Sequence, residues 1–287
     1  MKKILATFLL VSVVLAGCKK EDNNGAVGTL EPAQKQRAVI FKYTATSCQF
    51  CTGGGTVRLA ETMAQIREDG VAIALHSNDG LTSAIAATIY TGWSELSGTP
   101  DFAVNEHLDA GQGGMNGWAI TKTQESPVAG VGHQREVNGN SITVRSKVKF
   151  YENTSGTYYL GAYLISGDVD AATPHTQTDS QGYIETTDGV SYWAQDAAGW
   201  NNGGQLDYVY KAGDKLKHEH VLSAGADGVS TWGEALPINS FSNGDNYTFN
   251  YNITIPQSAV RDGMKVVTVL WKQESNGTVW AVNAYAR

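Results

Sequence analysis

Apolar residues run almost unbroken from Arg37 to Tyr43, the pattern of a strand buried on both faces. Val57, Leu59, Ala60, Met63 and Ile66 then recur at helical spacing, with Arg58, Glu61, Arg67 and Glu68 largely on the other side. Gly70 closes that helix, and Val71 to His76 reads as a second strand. Leu81 to Trp93 predicts a second helix, Phe102 to Asn105 a third strand after Pro100, and Gly113 to Glu125 a weaker helix. This β-α-β-α-β order is that of an α/β domain built on a central sheet.

The texture changes at Pro127. Ile142, Val144, Val148 and Phe150 alternate with Thr143, Arg145, Lys147 and Lys149, and Tyr247 to Ile255 alternates in the same way. A period of two means strands buried on one face. Tyr158–Ile165, Val266–Trp271 and Val279–Tyr285 add further strands, and no amphipathic helix stands out. The pattern predicts an antiparallel β-sandwich, jelly-roll or immunoglobulin-like, over 127–287, with an independent core. Asp168 to Asp214, rich in Asp, Asn, Gly, Tyr and Trp, reads as long loops broken by short strands.

The N-terminus carries an address. Lys2 and Lys3 precede an apolar run from Ile4 to Leu15, too short for a mature transmembrane helix, and Leu15-Ala16-Gly17-Cys18 follows. This resembles the lipobox of bacterial lipoproteins. The resemblance implies removal of residues 1–17 and acylation of Cys18 with fatty acid such as palmitate, which anchors the chain in a membrane. Lys19-Lys20-Glu21-Asp22 is similar to the tag that sends some lipoproteins to the outer face of the outer membrane. Residues 18–35 are polar and read as a flexible tether, leaving 36–126 for the α/β domain. Loss of Lys2 and Lys3 takes the formal charge from -7 to -9. An acidic chain repels phosphate backbones, so nucleic acid is not an expected partner.

Cys48 and Cys51 are the two cysteines left. At i and i+3 of a helix start both sulfurs lie on one side of the first turn, and Cys48 faces unpaired amides that favour its thiolate. Cys48 would then attack and Cys51 resolve. A zinc site needs two more ligands, and the only close histidine pair, His218 and His220, lies far along the chain. A structural disulfide in an oxidising compartment is the plainer alternative. No cofactor or metal is expected.

The strand Val39–Tyr43, the pair opening a helix, and Gly98-Thr99-Pro100 before a strand together resemble the thioredoxin fold. That resemblance implies a cis Pro100 beside the sulfurs and Thr99 offering backbone groups to an extended substrate. Ser47 replaces the usual aromatic residue before the first cysteine, and Gly53, Gly54 and Gly55 weaken the helix. Six residues before Cys48, where thioredoxins hold a buried carboxylate, stands Lys42. Its expected arrangement is a stem along the sheet and a head in solvent; turned inward, it would favour the thiolate.

Over nearly all of the mature chain the sequence resembles the outer-membrane-protein-28-related lipoproteins. Thr44 to Cys51, His76-Ser77-Asn78-Asp79, Gly98-Thr99-Pro100, Pro127-Val128 and His218-Glu219-His220-Val221-Leu222 carry the likeness. Phe41-Lys42 and Thr52 depart from it. The resemblance implies an outer-membrane or surface location without fixing an activity. His76 reads as a hydrogen-bonded loop anchor, with proton transfer as the alternative, and His218 and His220 as packing residues. Asp168 and Asp170 with the following loops could take Ca2+, and Tyr183, Tyr192, Trp193 and Trp200 could form a glycan- or protein-binding platform. Two functions remain open: a membrane-anchored thiol–disulfide oxidoreductase acting on protein partners, or a non-enzymatic binding or adhesion lipoprotein with a thioredoxin-like scaffold.

Overall fold

The computed structural model describes residues 30–46, 48, 51–96, 98–167, 169–170, 183–185, 191–193 and 217–287. The signal segment, Cys18, most of the expected tether, Asp168 and Trp200 lie outside these residues, as do the side chains of Asp170, Tyr183, Tyr192 and Trp193.

The first half holds β1 (Ala38–Thr44), a π-helical turn (Cys51–Thr56), α1 (Val57–Ile66), β2 (Gly70–His76), α2 (Ala84–Gly92), β3 (Asp101–Val104) and α3 (Gly111–Thr123). β1 is buried along its whole length because both of its faces are covered. Ala38 and Ile40 pack with Leu59 and Ile66 of α1 and Met115 and Ala119 of α3, while Val39, Phe41 and Tyr43 face Ala86 and Ile89 of α2. Ser83 caps α2 by accepting the Ala86 amide at 3.2 Å, which delays the helix expected from Leu81. β1 pairs with β2 in parallel and with β3 antiparallel.

The second half supplies β4 (Ala129–Asn138), β5 (Ser141–Phe150), β6 (Thr157–Ser166), β7 (Val221–Gly225), β8 (Asn246–Thr254), β9 (Lys265–Gln273) and β10 (Val279–Ala286). β4, β5 and β8 form one antiparallel sheet. Its inner residues Ile142, Val144, Tyr251 and Ile253 meet Ala162, Leu164 and Val266 of a second sheet. The strands expected from the alternation are therefore present, and they do pack sheet on sheet.

That second sheet is not separate. Its strands run β10-β9-β6-β7-β2-β1-β3, joined across the two halves by parallel pairing of Val221 with Ala74. One hydrophobic cluster follows it across the boundary and includes Phe41, Trp93, Tyr163, Val269 and Trp271. Hydrogen bonds tie the seam: Asn105 Nδ2 donates to the carbonyls of Ala281 and Val282, and Gln36 Nε2 to Val282. Pro127 marks a change of composition, but the sheet and the core continue through it.

The end of the expected tether is also fixed. Glu31 bonds Lys147 at 2.8 Å and Lys149 at 3.4 Å, Tyr151 donates its hydroxyl to the Pro32 carbonyl, and Lys35 pairs with Asp69. Gly130 leaves room for the Ala33 carbonyl, where a Cβ would collide with it.

Candidate functional site: the disulfide turn and the cavity beneath it

Cys48 and Cys51 form a disulfide with Cα atoms 5.4 Å apart. The helical segment opens at Cys51, not at Cys48 as the spacing suggested. Cys48 ends a preceding turn, its amide donating to Ala45 and its carbonyl accepting from Cys51 at 3.3 Å. The physical reason lies in Thr52-Gly53-Gly54-Gly55: successive glycines give little helix propensity, and the segment takes the wider π geometry before α1 begins at Val57. Cys48 keeps 9% of its surface and Cys51 2%. Cys48 is the more exposed of the two, but both are buried, and Cys48 is far from the open thiol that the spacing implied.

The Thr99–Pro100 peptide is cis. Pro100 is buried against the disulfide turn, where a Cβ on Gly55 would come within 2.8 Å of Pro100 Cβ and 3.2 Å of Lys42 Cε. Gly55 is thus the close-approach residue that lets the turn, the proline and the lysine stem share one place.

Lys42 corrects the sequence reading. Its head does not reach solvent; the residue is 6% exposed. Alternation along β1 puts it on the α1 face with Ala38 and Ile40, below the turn. Nζ donates to Thr56 Oγ1 at 2.6 Å, and Thr56 donates in turn to the Cys51 carbonyl at 3.0 Å. Burial lowers the ammonium pKa to about 7, partly opposed by the charge of Glu219.

Around Lys42 lies a cavity of about 250 Å³. Thr44, Thr56, His76, His218, Glu219 and His220 complete its polar wall, and Leu59, Ala60, Met63 and Ala74 its apolar one. His76 Nδ1 bonds Asp79 Oδ2 at 2.8 Å, and Asp79 also accepts the amides of Thr46 and Leu81. Burial alone would raise the Asp79 pKa, but the hydrogen bond and charge of His76, with those two amides, hold it below the ordinary value. This is the loop anchor expected of His76, with the other ring nitrogen turned away from it. His218 stands edge-on to His76 at 4.9 Å. His218 and His220 do not share a strand face: the strand containing His218 ends there, and His220 turns the chain at a φ of 60° before β7. Among the described residues no three His, Cys, Asp or Glu side chains converge on a possible metal position.

The structure therefore brings Cys48, Cys51, Pro100, Lys42 and His76 into one region, and adds Thr44 and Thr56, which the sequence reading missed. The alternation of β1 was the available signal, since it places Thr44 two residues beyond Lys42 on the same face.

No protein-family model matches the chain, and no curated protein does. Among solved structures, HBP35 of Porphyromonas gingivalis aligns over 90% of this chain and 76% of its own, at a TM-score of 0.62 and 16% identity. A penta-heme cytochrome c552 from Thermochromatium tepidum aligns over 56% of this chain and 39% of its own, at 9% identity and a TM-score of 0.24, too low to indicate a common fold. At its level of identity, the likeness to HBP35 is one of fold.

Proposed function

We propose that the chain is an outer-membrane lipoprotein, akin to the outer-membrane-protein-28-related family and anchored through acylated Cys18 on the cell surface. In this reading its thioredoxin-like half exchanges disulfides with protein partners. The observation that carries the chemistry is the Cys48–Cys51 disulfide at the head of a helix, set in the turn that packs on cis Pro100. A partner thiolate attacks Cys48 Sγ, the S–S bond breaks, and Cys51 leaves as the thiolate. A second partner thiolate then displaces Cys48, so that the partner dithiol is oxidised and the pair reduced. Attack needs one open line to one sulfur, and Cys48 is the cysteine that retains more surface. The lipobox supports the anchor; among the described residues no helix is long and apolar enough to cross a membrane.

The second reading is a binding or adhesion lipoprotein in which the disulfide is structural, and the 9% exposure of Cys48 favours it. One set of measurements separates the two. Reduced Cys51→Ser is expected to accumulate mixed disulfides through Cys48, and Cys48→Ser none. A potential below about -300 mV together with an empty trap would sink the exchange reading. The anchor is tested apart from the chemistry: Cys18→Ser is expected to lose acyl labelling and leave the membrane fraction, and added protease to digest the wild type on intact cells.

A further inference from the structure

The cavity below the disulfide turn holds a buried ammonium, Lys42, with three N–H donors; among the described residues its contact within hydrogen-bond distance is the one to Thr56. Among the described residues no carboxylate lies within ion-pair distance of its Nζ; Lys42 feels Glu219 only at longer range. Thr44 is 1% and His76 2% exposed, and Thr44 Oγ1 and His76 Nε2 have no hydrogen-bond partner among the described residues. Asp79 occupies His76 Nδ1, so Nε2 is the nitrogen left for the cavity. Unpaired polar groups at such depth are costly, and their convergence on one space calls for a partner.

We propose that this cavity binds a small organic carboxylate. Its oxygens would accept from Lys42 Nζ, a charge-assisted bond of the stronger kind, and from the Thr44 hydroxyl. Its short hydrocarbon body would lie along Leu59 and Met63 of α1. The cavity of about 250 Å³ has room for a small organic molecule. A divalent metal is the poorer occupant, because it would meet the ammonium.

The titratable groups facing the site are Lys42 from β1, His76 from β2, and His218, Glu219 and His220 from the chain before β7; α1 and the disulfide turn contribute none to its wall. Asp79 stands behind His76, outside that wall. Lys42 gains its charge as pH falls through about 7, so anion binding to it tightens there.

The test uses the full chain carrying Cys18→Ser, titrated at pH 6 with sodium butyrate, acetate and phosphate by calorimetry. Saturable binding of one butyrate, weaker for acetate, is expected. Lys42→Met should weaken it about tenfold or more, the loss of one charge-assisted bond. Because Lys42→Met removes a buried charge, its folding is not at risk; Thr44→Val gives an independent second reading with a smaller loss. Absence of saturation with all three anions overturns the proposal and leaves the cavity to water. Equal affinity in Lys42→Met overturns it as well, and phosphate binding as tightly as butyrate overturns the choice of an organic ligand. The same titration with Cys48→Ser/Cys51→Ser added is expected to be unchanged, which keeps this site separate from disulfide exchange.

Discussion

The two faces of β1 are built from neighbouring residues and differ in kind. Val39, Phe41 and Tyr43 look into an aromatic core where Trp93, Trp271 and Tyr163 are almost wholly buried. There the polar atoms are matched: Trp93 Nε1 donates to the Val279 carbonyl, Trp271 Nε1 to the Tyr163 hydroxyl, and that hydroxyl to the Thr231 carbonyl. Lys42 and Thr44, one residue out of phase, look into a cavity where, among the described residues, the Thr44 hydroxyl and His76 Nε2 have no hydrogen-bond partner. Burial is equal on the two sides, so burial does not separate scaffold from site. Completeness of pairing does, and the incomplete face is the one under the disulfide.

Cutting the dry face in two should have the largest effect. A fragment of residues 126–287 keeps Trp271 and Tyr163 but loses Phe41 and Trp93, so it is expected to show no cooperative melt and a flat near-UV CD spectrum. A sharp transition would mean that the shared sheet contributes little. Within the whole chain, Trp271→Ala is expected to cost about 3–5 kcal/mol in urea unfolding, through lost aromatic packing.

The wet face should answer differently, and with pH. Folded Lys42 releases its proton near pH 7, whereas in the unfolded chain it holds it to about 10.5. Between those values the unfolded state binds more protons, so wild-type stability rises with pH relative to Lys42→Met, by at most about 1.4 kcal/mol per unit. Below about pH 7, with no anion present, the Met variant should be the more stable protein. A constant difference from pH 6 to 10 would show that Lys42 is not buried as a cation.

Gly55→Ala should have the smallest effect. Helix propensity favours alanine by about 1 kcal/mol. A Cβ 2.8 Å from Pro100 Cβ works against that, by about 1–3 kcal/mol. A net loss of about 0–2 kcal/mol is expected; a clear gain in thermal stability would show that the turn does not press on the proline.

Periodicity made most elements legible. β1, β2 and β3 fall within a residue or two of the expected bounds, because each carries an unambiguous period or an unbroken apolar run, whereas the helix expected to open at Cys48 becomes regular only at Val57. What periodicity cannot carry is pairing. Nothing in the residues of Val221–Gly225 says that this stretch will lie between β2 and β6. The same gap hid the site. The cysteines, Thr99 and Pro100 stood out by type, whereas His76 and His218, far apart in the chain, meet only because β7 docks on β2. Lys42 was visible as an odd charge in an apolar run, and its direction was misjudged because a lysine ordinarily snorkels.

That docking also sets a timetable. β2 presents an open edge until Val221–Gly225 is available, and the aromatic core stays unroofed until Trp271 and the last strand have emerged. Gln36 finds its carbonyl partner 246 residues later. Contacts this distant in sequence form late and slowly. The N-terminal half therefore cannot complete its sheet on its own, and the fold closes only when the C-terminal strands are in place.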